Sequence, residues 1–241
     1  MLNESGAGAS LTKVGTGTFT INANTSYTGL TTVNAGELKL NGTMADSLLI
    51  AAGAKFSGNA TVSGNVTNNG TINPGNSPGT VTIAGNYVAG VGALFNMEVQ
   101  FNNAGAPVNG TTHDFVSIGG SATGATTLLN IIAFPPSGAP AATTGNGMEL
   151  VRVGGATSAG QFALAAPVFQ GAYQYVLAYM PNYSGALDGY FLQSRLGEGL
   201  FGDAAMFSAG QAMTGACFRG TDELVGDGTR STAGRSWAKV C

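Results

Sequence analysis

Between residues 11 and 83, alternating runs are cut off by Asn or Gly after about four residues. Thr18-Phe19-Thr20-Ile21 meets Asn22-Ala23-Asn24, Leu30-Thr31-Thr32-Val33 meets Asn34-Ala35-Gly36, and Glu37-Leu38-Lys39-Leu40 meets Asn41-Gly42. Further on, Leu48-Leu49-Ile50 meets Ala51-Ala52-Gly53, Thr61-Val62-Ser63 meets Gly64-Asn65, and Thr71-Ile72 meets Asn73-Pro74-Gly75. Thr and Val suit pleated strands, and Asn and Gly suit corners because both tolerate positive φ. Strands this short cannot hold a hairpin sandwich together. They can stack rung upon rung, each burying its apolar residues on the next, which is the logic of a solenoid or β-helix. Thr31 and Thr61 read as solvent-facing rung positions.

From residue 85 to 196 the text changes. Ala93-Leu94-Phe95-Asn96-Met97-Glu98-Val99-Gln100-Phe101 alternates without interruption, and most of the aromatic residues lie in this segment. It can bury a denser core and reads as a cap closing one end of the solenoid, as such folds require. The junction is Asn76-Ser77-Pro78-Gly79-Thr80-Val81-Thr82-Ile83-Ala84-Gly85-Asn86-Tyr87, a Gly/Pro turn running into a strand and then a corner. After residue 197 the stretch 203–213 has helical composition with Asp203 able to cap its start, and 219–235 reads as polar and loose.

Composition narrows the function. Charged residues make up 9% of the chain, against roughly 25% in an ordinary soluble domain, yet 44% is hydrophobic. The chain can therefore bury a core, with Asn, Thr and Ser keeping its surface wet. A net charge of −3 with thinly spread Lys and Arg gives no footprint for nucleic acid, which demands clustered cations. One His and two Cys, Cys217 and Cys241, fit no zinc spacing. They read as incidental thiols, with a tail-closing disulfide as the alternative. No cofactor or metal site is expected. The first residues lack the basic and apolar regions of a signal peptide. The longest apolar run, 128–134, is far short of the ~20 residues of a spanning helix.

Three motifs match catalytic patterns in letters only. Gly75-Asn76-Ser77-Pro78-Gly79 is G-x-S-x-G, but Pro78 has no N–H for an oxyanion hole and a strand follows where a helix is needed. Gly197-Glu198-Gly199-Leu200-Phe201-Gly202 is G-x-G-x-x-G without a βαβ unit around it. His113-Asp114 is the only His beside an acid, and strand neighbours point to opposite faces, so it reads as a loop or strand-edge His rather than a general base. No catalytic residue is assigned.

Together, the residues resemble a family: the bacterial autotransporters, proteins of type V secretion. The run 11–21 followed by Tyr27-Thr28-Gly29-Leu30-Thr31-Thr32-Val33-Asn34-Ala35-Gly36-Glu37-Leu38 is similar to the passenger-associated repeat. The run 76–87 resembles the junction into the autochaperone region, and His113-Asp114-Phe115-Val116-Ser117-Ile118, Tyr175-Val176-Leu177 and Gly189-Tyr190-Phe191-Leu192-Gln193-Ser194 follow in the family's order. Ser236-Trp237-Ala238-Lys239-Val240 resembles the first strand of the outer-membrane barrel.

The resemblance implies an all-β chain: a right-handed parallel β-helix with a C-terminal β cap, then a short helix and loose tail. It divides the chain into a stem at 1–84, an autochaperone-like cap at 85–196, and a linker helix with the start of a barrel at 197–241. Against the family plan the chain lacks a signal peptide, an effector portion and the barrel, and so reads as a fragment or truncated frame of a cell-surface or secreted protein. The expected role is structural and non-enzymatic: templating of β-helix folding during translocation, with the protein's own barrel as partner. Packing in the cap is assigned to Tyr87, Phe95, Phe115, Tyr175, Leu177, Phe191 and Leu192. The rival expectations are an adhesin that binds a host surface or a second copy of itself, and a polysaccharide-active β-helical enzyme. The latter needs a carboxylate cluster, and the acids here are scattered.

Overall fold

A computed structural model of the chain describes residues 8–101, 107–134 and 140–196. Strands form where the sequence alternates and end where Asn or Gly turns it. The chain opens with β1 (Leu11–Lys13) and β2 (Thr18–Ile21), followed by a three-strand coil of β3 (Thr31–Val33), β4 (Glu37–Leu40) and β5 (Gly42–Met44). The coil recurs as β6 (Leu48–Ile50), β7 (Lys55–Gly58) and β8 (Ala60–Val62), and as β9 (Val66–Asn68), β10 (Thr71–Pro74) and β11 (Thr80–Ile83). It recurs again as β12 (Tyr87–Ala89), β13 (Leu94–Val99) and β14 (Phe115–Ile118), then as β15 (Ala122–Gly124), β16 (Thr127–Ala133) and β17 (Met148–Val153). β18 (Phe162–Leu164) begins one more turn, and β19 (Val168–Gln170), β20 (Tyr173–Ser184) and β21 (Leu187–Leu196) complete the described chain.

Each coil contributes one strand to each of three sheets. Their orders are β1-β3-β6-β9-β12-β15, β2-β4-β7-β10-β13-β16-β18, and β5-β8-β11-β14-β17-β21-β20-β19. Neighbouring coils pair parallel and in register, so the fold is a parallel β-helix. Among the described residues there is no helix. The helix expected at 203–213, the strand expected at 236–240, and both cysteines lie outside the described residues.

The register explains the core. One row runs Phe19, Leu38, Phe56, Ile72, Phe95, Leu129, Leu164 through successive coils of the second sheet. Leu38, Phe56, Ile72, Phe95 and Leu129 are fully buried, whereas Phe19 at the start of the row is 42% exposed, β2 being the edge strand of this sheet among the described residues. Each added coil removes apolar area from water at roughly 25 cal/mol per Å². Corners are held by amides reaching one coil along. The Asn59 Oδ1 accepts from the Thr80 N–H at 2.9 Å, Asn65 from the Asn86 N–H at 2.8 Å, and Asn86 from the Ser121 N–H at 2.8 Å.

The coils run past residue 84 without interruption, since β12 pairs parallel with both β9 and β15. Pairing changes character at β17, whose partner β21 is antiparallel with a bulge between Glu149 and Val151. β19 and β20 are antiparallel as well.

Thr61 faces outward between inward-pointing Ala60 and Val62. Thr31 does not. It is fully buried, donating to the Asp46 carboxylate at 2.7 Å and lying 3.0 Å from the Tyr27 hydroxyl. Thr31 and Thr32 are identical residues, so nothing in the pair signals which one faces inward.

Coil stacking leaves no room at some corners. Gly58 sits at φ +105, and a Cβ there would lie 2.1 Å from the Leu40 carbonyl oxygen. Gly58→Ala is expected to destabilise the chain by at least about 2 kcal/mol, combining left-handed strain with a backbone clash. The midpoint of urea unfolding reads this directly. A midpoint equal to wild type would show that the coils can slide apart at this corner.

Candidate functional site: the aromatic end of the solenoid

The last coils are closed by a chain of rings. Tyr87 meets Phe95 edge-on at 5.3 Å, and Phe162 lies 5.8 Å from Phe95 and 6.1 Å from Tyr87. Phe162 meets Tyr190 at 4.7 Å, and Tyr190 meets Tyr179 at 5.1 Å. A neighbouring pair, Phe101 and Tyr175, is edge-on at 4.7 Å. The hydroxyls of the three buried tyrosines here are all used. Tyr87 lies 2.8 Å from the Thr127 hydroxyl and accepts from the Asn68 amide at 3.2 Å, Tyr190 donates to the Ser158 carbonyl, and Tyr175 donates to the Ala141 carbonyl at 2.9 Å. Burial pushes the Tyr87 phenol up to about 12, so it stays neutral.

Of the seven residues assigned to cap packing, Tyr87, Phe95, Tyr175 and Leu192 are buried in this core, and Leu177 is half-buried against it. Phe115 and Phe191 are buried on the other face of their sheet. Alternation puts Val116 and Leu192 inward, so their neighbours point outward. Phe162 and Tyr190 complete the ring chain and are absent from that assignment. Tyr190 adjoins Phe191 in an apolar run that signalled it, whereas Phe162 sits in a three-residue strand among Ala and Gly that gave little signal.

The outward face carries a polar cluster. Arg152 lies over the Phe115 ring at 5.1 Å and pairs with Glu149 at 2.6 Å. Tyr183 donates to Glu149 and packs edge-on against Phe191 at 4.9 Å. The Asn109 amide donates to Glu149 at 2.7 Å. His113 is fully buried, with Nε2 2.9 Å from the Glu149 carbonyl and 3.1 Å from Asn109 Oδ1, and with Nδ1 3.0 Å from the Thr112 hydroxyl. Two acceptors at Nε2 place the proton there in the neutral ring. His113 therefore ties the 108–113 turn to β17.

Asp114 points elsewhere. Its two carboxylate oxygens accept from the Gly79 N–H at 2.7 Å and the Glu98 N–H at 2.8 Å. It clamps the Asn76-Ser77-Pro78-Gly79 turn, in which Ser77 has φ 73 and the Ser77–Pro78 peptide bond is cis. G-x-S-x-G here is a turn. Among the described residues no group of three His, Cys, Asp or Glu is placed to hold a metal ion.

The two buried neighbours respond oppositely to pH. Burial, opposed by the two N–H donors, raises the Asp114 carboxyl to about 7 from 3.8. The folded chain then holds a proton that the unfolded chain releases, so this contribution to stability is lost as pH rises from 3.8 to about 7. Burial lowers His113 from 6.5, so its contribution is lost as pH falls below 6.5. In Asp114→Asn the decline in stability from about pH 4 to 7 should shrink to the part that Asp46, whose carboxyl burial also raises, contributes, and in His113→Gln the loss on acidification should shrink. Urea titrations at stepped pH measure both. An unchanged wild-type slope in Asp114→Asn contradicts the assignment.

Comparison with known proteins bears on this end of the chain. Residues 64–177 match the family model Autochaperone Domain Type 1, and residues 11–40 match the Passenger-associated-transport-repeat. "Uncharacterized protein YuaQ" of Escherichia coli (strain K12) is 32% identical over 191 residues, covering 75% of this chain and 13% of its own length. "Extracellular serine protease" of Serratia marcescens is 33% identical over 93 residues, covering 38% of this chain and 9% of its own length. The chain thus spans a small part of the curated relatives it matches.

Proposed function

The chain belongs to the autotransporter passengers, with a passenger-associated transport repeat and an autochaperone domain, and from that premise we propose that its aromatic end templates the folding of the coils before it. Parallel pairing is non-local, so the first coil is slow to nucleate. The antiparallel β20–β21 pair is local in sequence and brings Tyr179, Tyr190 and Leu192 onto Phe162 and Met148. Once formed, this end offers a paired edge and a row of side chains on which the preceding coil can settle. Each later coil repeats the step. Folding outside the cell then favours outward movement without a nucleotide. The role is structural rather than catalytic, at the cell surface or in the secreted passenger, with the protein's own outer-membrane barrel as partner.

The observation that carries this reading is the unbroken register of buried side chains from Leu38 to Leu129, which leads into the densest aromatic contacts among the described residues. Pulse-labelled hydrogen exchange during refolding tests it. Amides of β13, β14, β17 and β21 should become protected before those of β3 to β8. Protection appearing first in β3 to β8 would reverse the proposed direction and defeat the templating role.

A further inference from the structure

A groove of about 240 Å³ lies on the outer face of the second sheet, walled by the 74–79 turn. Its floor is a row of polar side chains. Lys39, Ser57 and Asn73 are register partners across β4, β7 and β10, and the Asn96 amide donates to Asn73 Oδ1 at 2.9 Å. The Asn130 amide continues the row, donating to Asn96 Oδ1 at 2.9 Å. At the usual strand spacing, Lys39 and Asn96 stand roughly 14 Å apart. Glu98 lies two residues beyond Asn96, on the same face.

Several groups lining this groove have no work inside the protein. Among the described residues, the Lys39 ammonium, the Glu98 carboxylate and the Ser77 hydroxyl have no hydrogen-bond or ion-pair partner. The nearby Glu37 is different, because Lys55 at 2.8 Å and Ser57 at 2.5 Å already occupy it. Ser77 is also a non-glycine residue at φ 73, held there by a turn that Asp114 pins through the Gly79 N–H. Side chains in such conformations concentrate at sites of function.

We propose that this groove binds a short linear saccharide lying across the strands. This goes beyond the templating role and does not depend on it. A sugar hydroxyl both donates and accepts, and so matches amide, hydroxyl, carboxylate and ammonium groups in one row. A phosphate or other polyanion is disfavoured, because Glu98 and Asp114 line the groove opposite a single unpaired Lys39. A peptide would require pockets for apolar side chains, and the groove offers Ile132 alone at its rim besides Pro74.

Binding of immobilised cellotetraose, chitotetraose, maltotetraose and laminaritetraose to the purified chain tests the proposal, read by biolayer interferometry. At least one is expected to bind with a Kd below about 1 mM. Glu98→Gln and Lys39→Gln should each weaken that binding by about tenfold or more, since each removes a charge-assisted contact. Neither should lower the urea midpoint, because neither side chain supports the fold. Absence of binding to all four saccharides overturns the proposal, as does binding that both variants leave unchanged. Binding of members of a random peptide library, sensitive to the same variants and without saccharide binding, overturns it in favour of a peptide site. The order of protection during refolding is unaffected by either variant, so failure here leaves the templating role standing.

Discussion

Leu192→Asp is expected to leave the aromatic end unfolded and, in a full-length parent, to yield a passenger that reaches the surface but is digested by trypsin. Leu192 is fully buried, pairs with Met148 across β17 and β21, and belongs to the same core as Tyr190 and Tyr175. A carboxylate there has no partner. An unpaired buried charge costs several kcal/mol, a large share of a typical total of about 5–15 kcal/mol. Phe191→Asp should act through a different face. It removes the ring beneath Tyr183 and places a second acid near Glu149, which already shares Arg152 with Tyr183. Thr61→Asp is the control, since that side chain faces outward. Thr31 cannot serve as one, because it is buried against Asp46. Surface exposure and trypsin resistance of the three variants can be compared in one experiment. If Leu192→Asp passengers resist trypsin as wild type does, the aromatic end does not template the coils.

Asp114→Ala should be the most damaging polar substitution in the described chain. It strips the acceptor from two backbone donors at once, the N–H of Gly79 and the N–H of Glu98, in a residue that is 1% exposed. Each orphaned donor costs about 1–3 kcal/mol, so the expected loss is about 2–6 kcal/mol. The damage should be local first. The 74–79 turn would lose its tie to β14, exposing the connection between β10 and β11 to protease before the coils melt. Urea unfolding gives the size of the loss and limited proteolysis its place. A loss below about 1 kcal/mol would mean that water replaces the carboxylate, and that the turn is held by its corners alone.

The coil pattern was legible because it is written locally. Leu38 and Leu40, Val81 and Ile83, and Phe95 and Met97 alternate with polar neighbours, and their strands end at Asn or Gly as a solenoid requires. The candidate site was legible in part. Tyr87 and Phe95 stand in alternating runs whose inward face is plain, whereas Leu192 follows Tyr190 and Phe191 in an unbroken apolar run. Phe115 and Phe191 point to the opposite face, where Arg152 and Tyr183 receive them. An aromatic residue suits either environment, so identity alone did not decide the face. Thr31 failed for a related reason, being one of two adjacent threonines of which only one turns inward.

Read locally, the chain is already one of short strands with corners that buries a core with few charges. These follow from residue type and spacing, which act over a few positions. The three-sheet register, the partnership of β17 with β21, and the clamp from Asp114 to Gly79 across 35 residues were decided by tertiary structure alone. A carboxylate or phenol gives no sign in the sequence of which distant N–H or ring it will meet. That pairing is settled when stacked coils bring those groups within hydrogen-bond reach and exclude the water that would otherwise satisfy them.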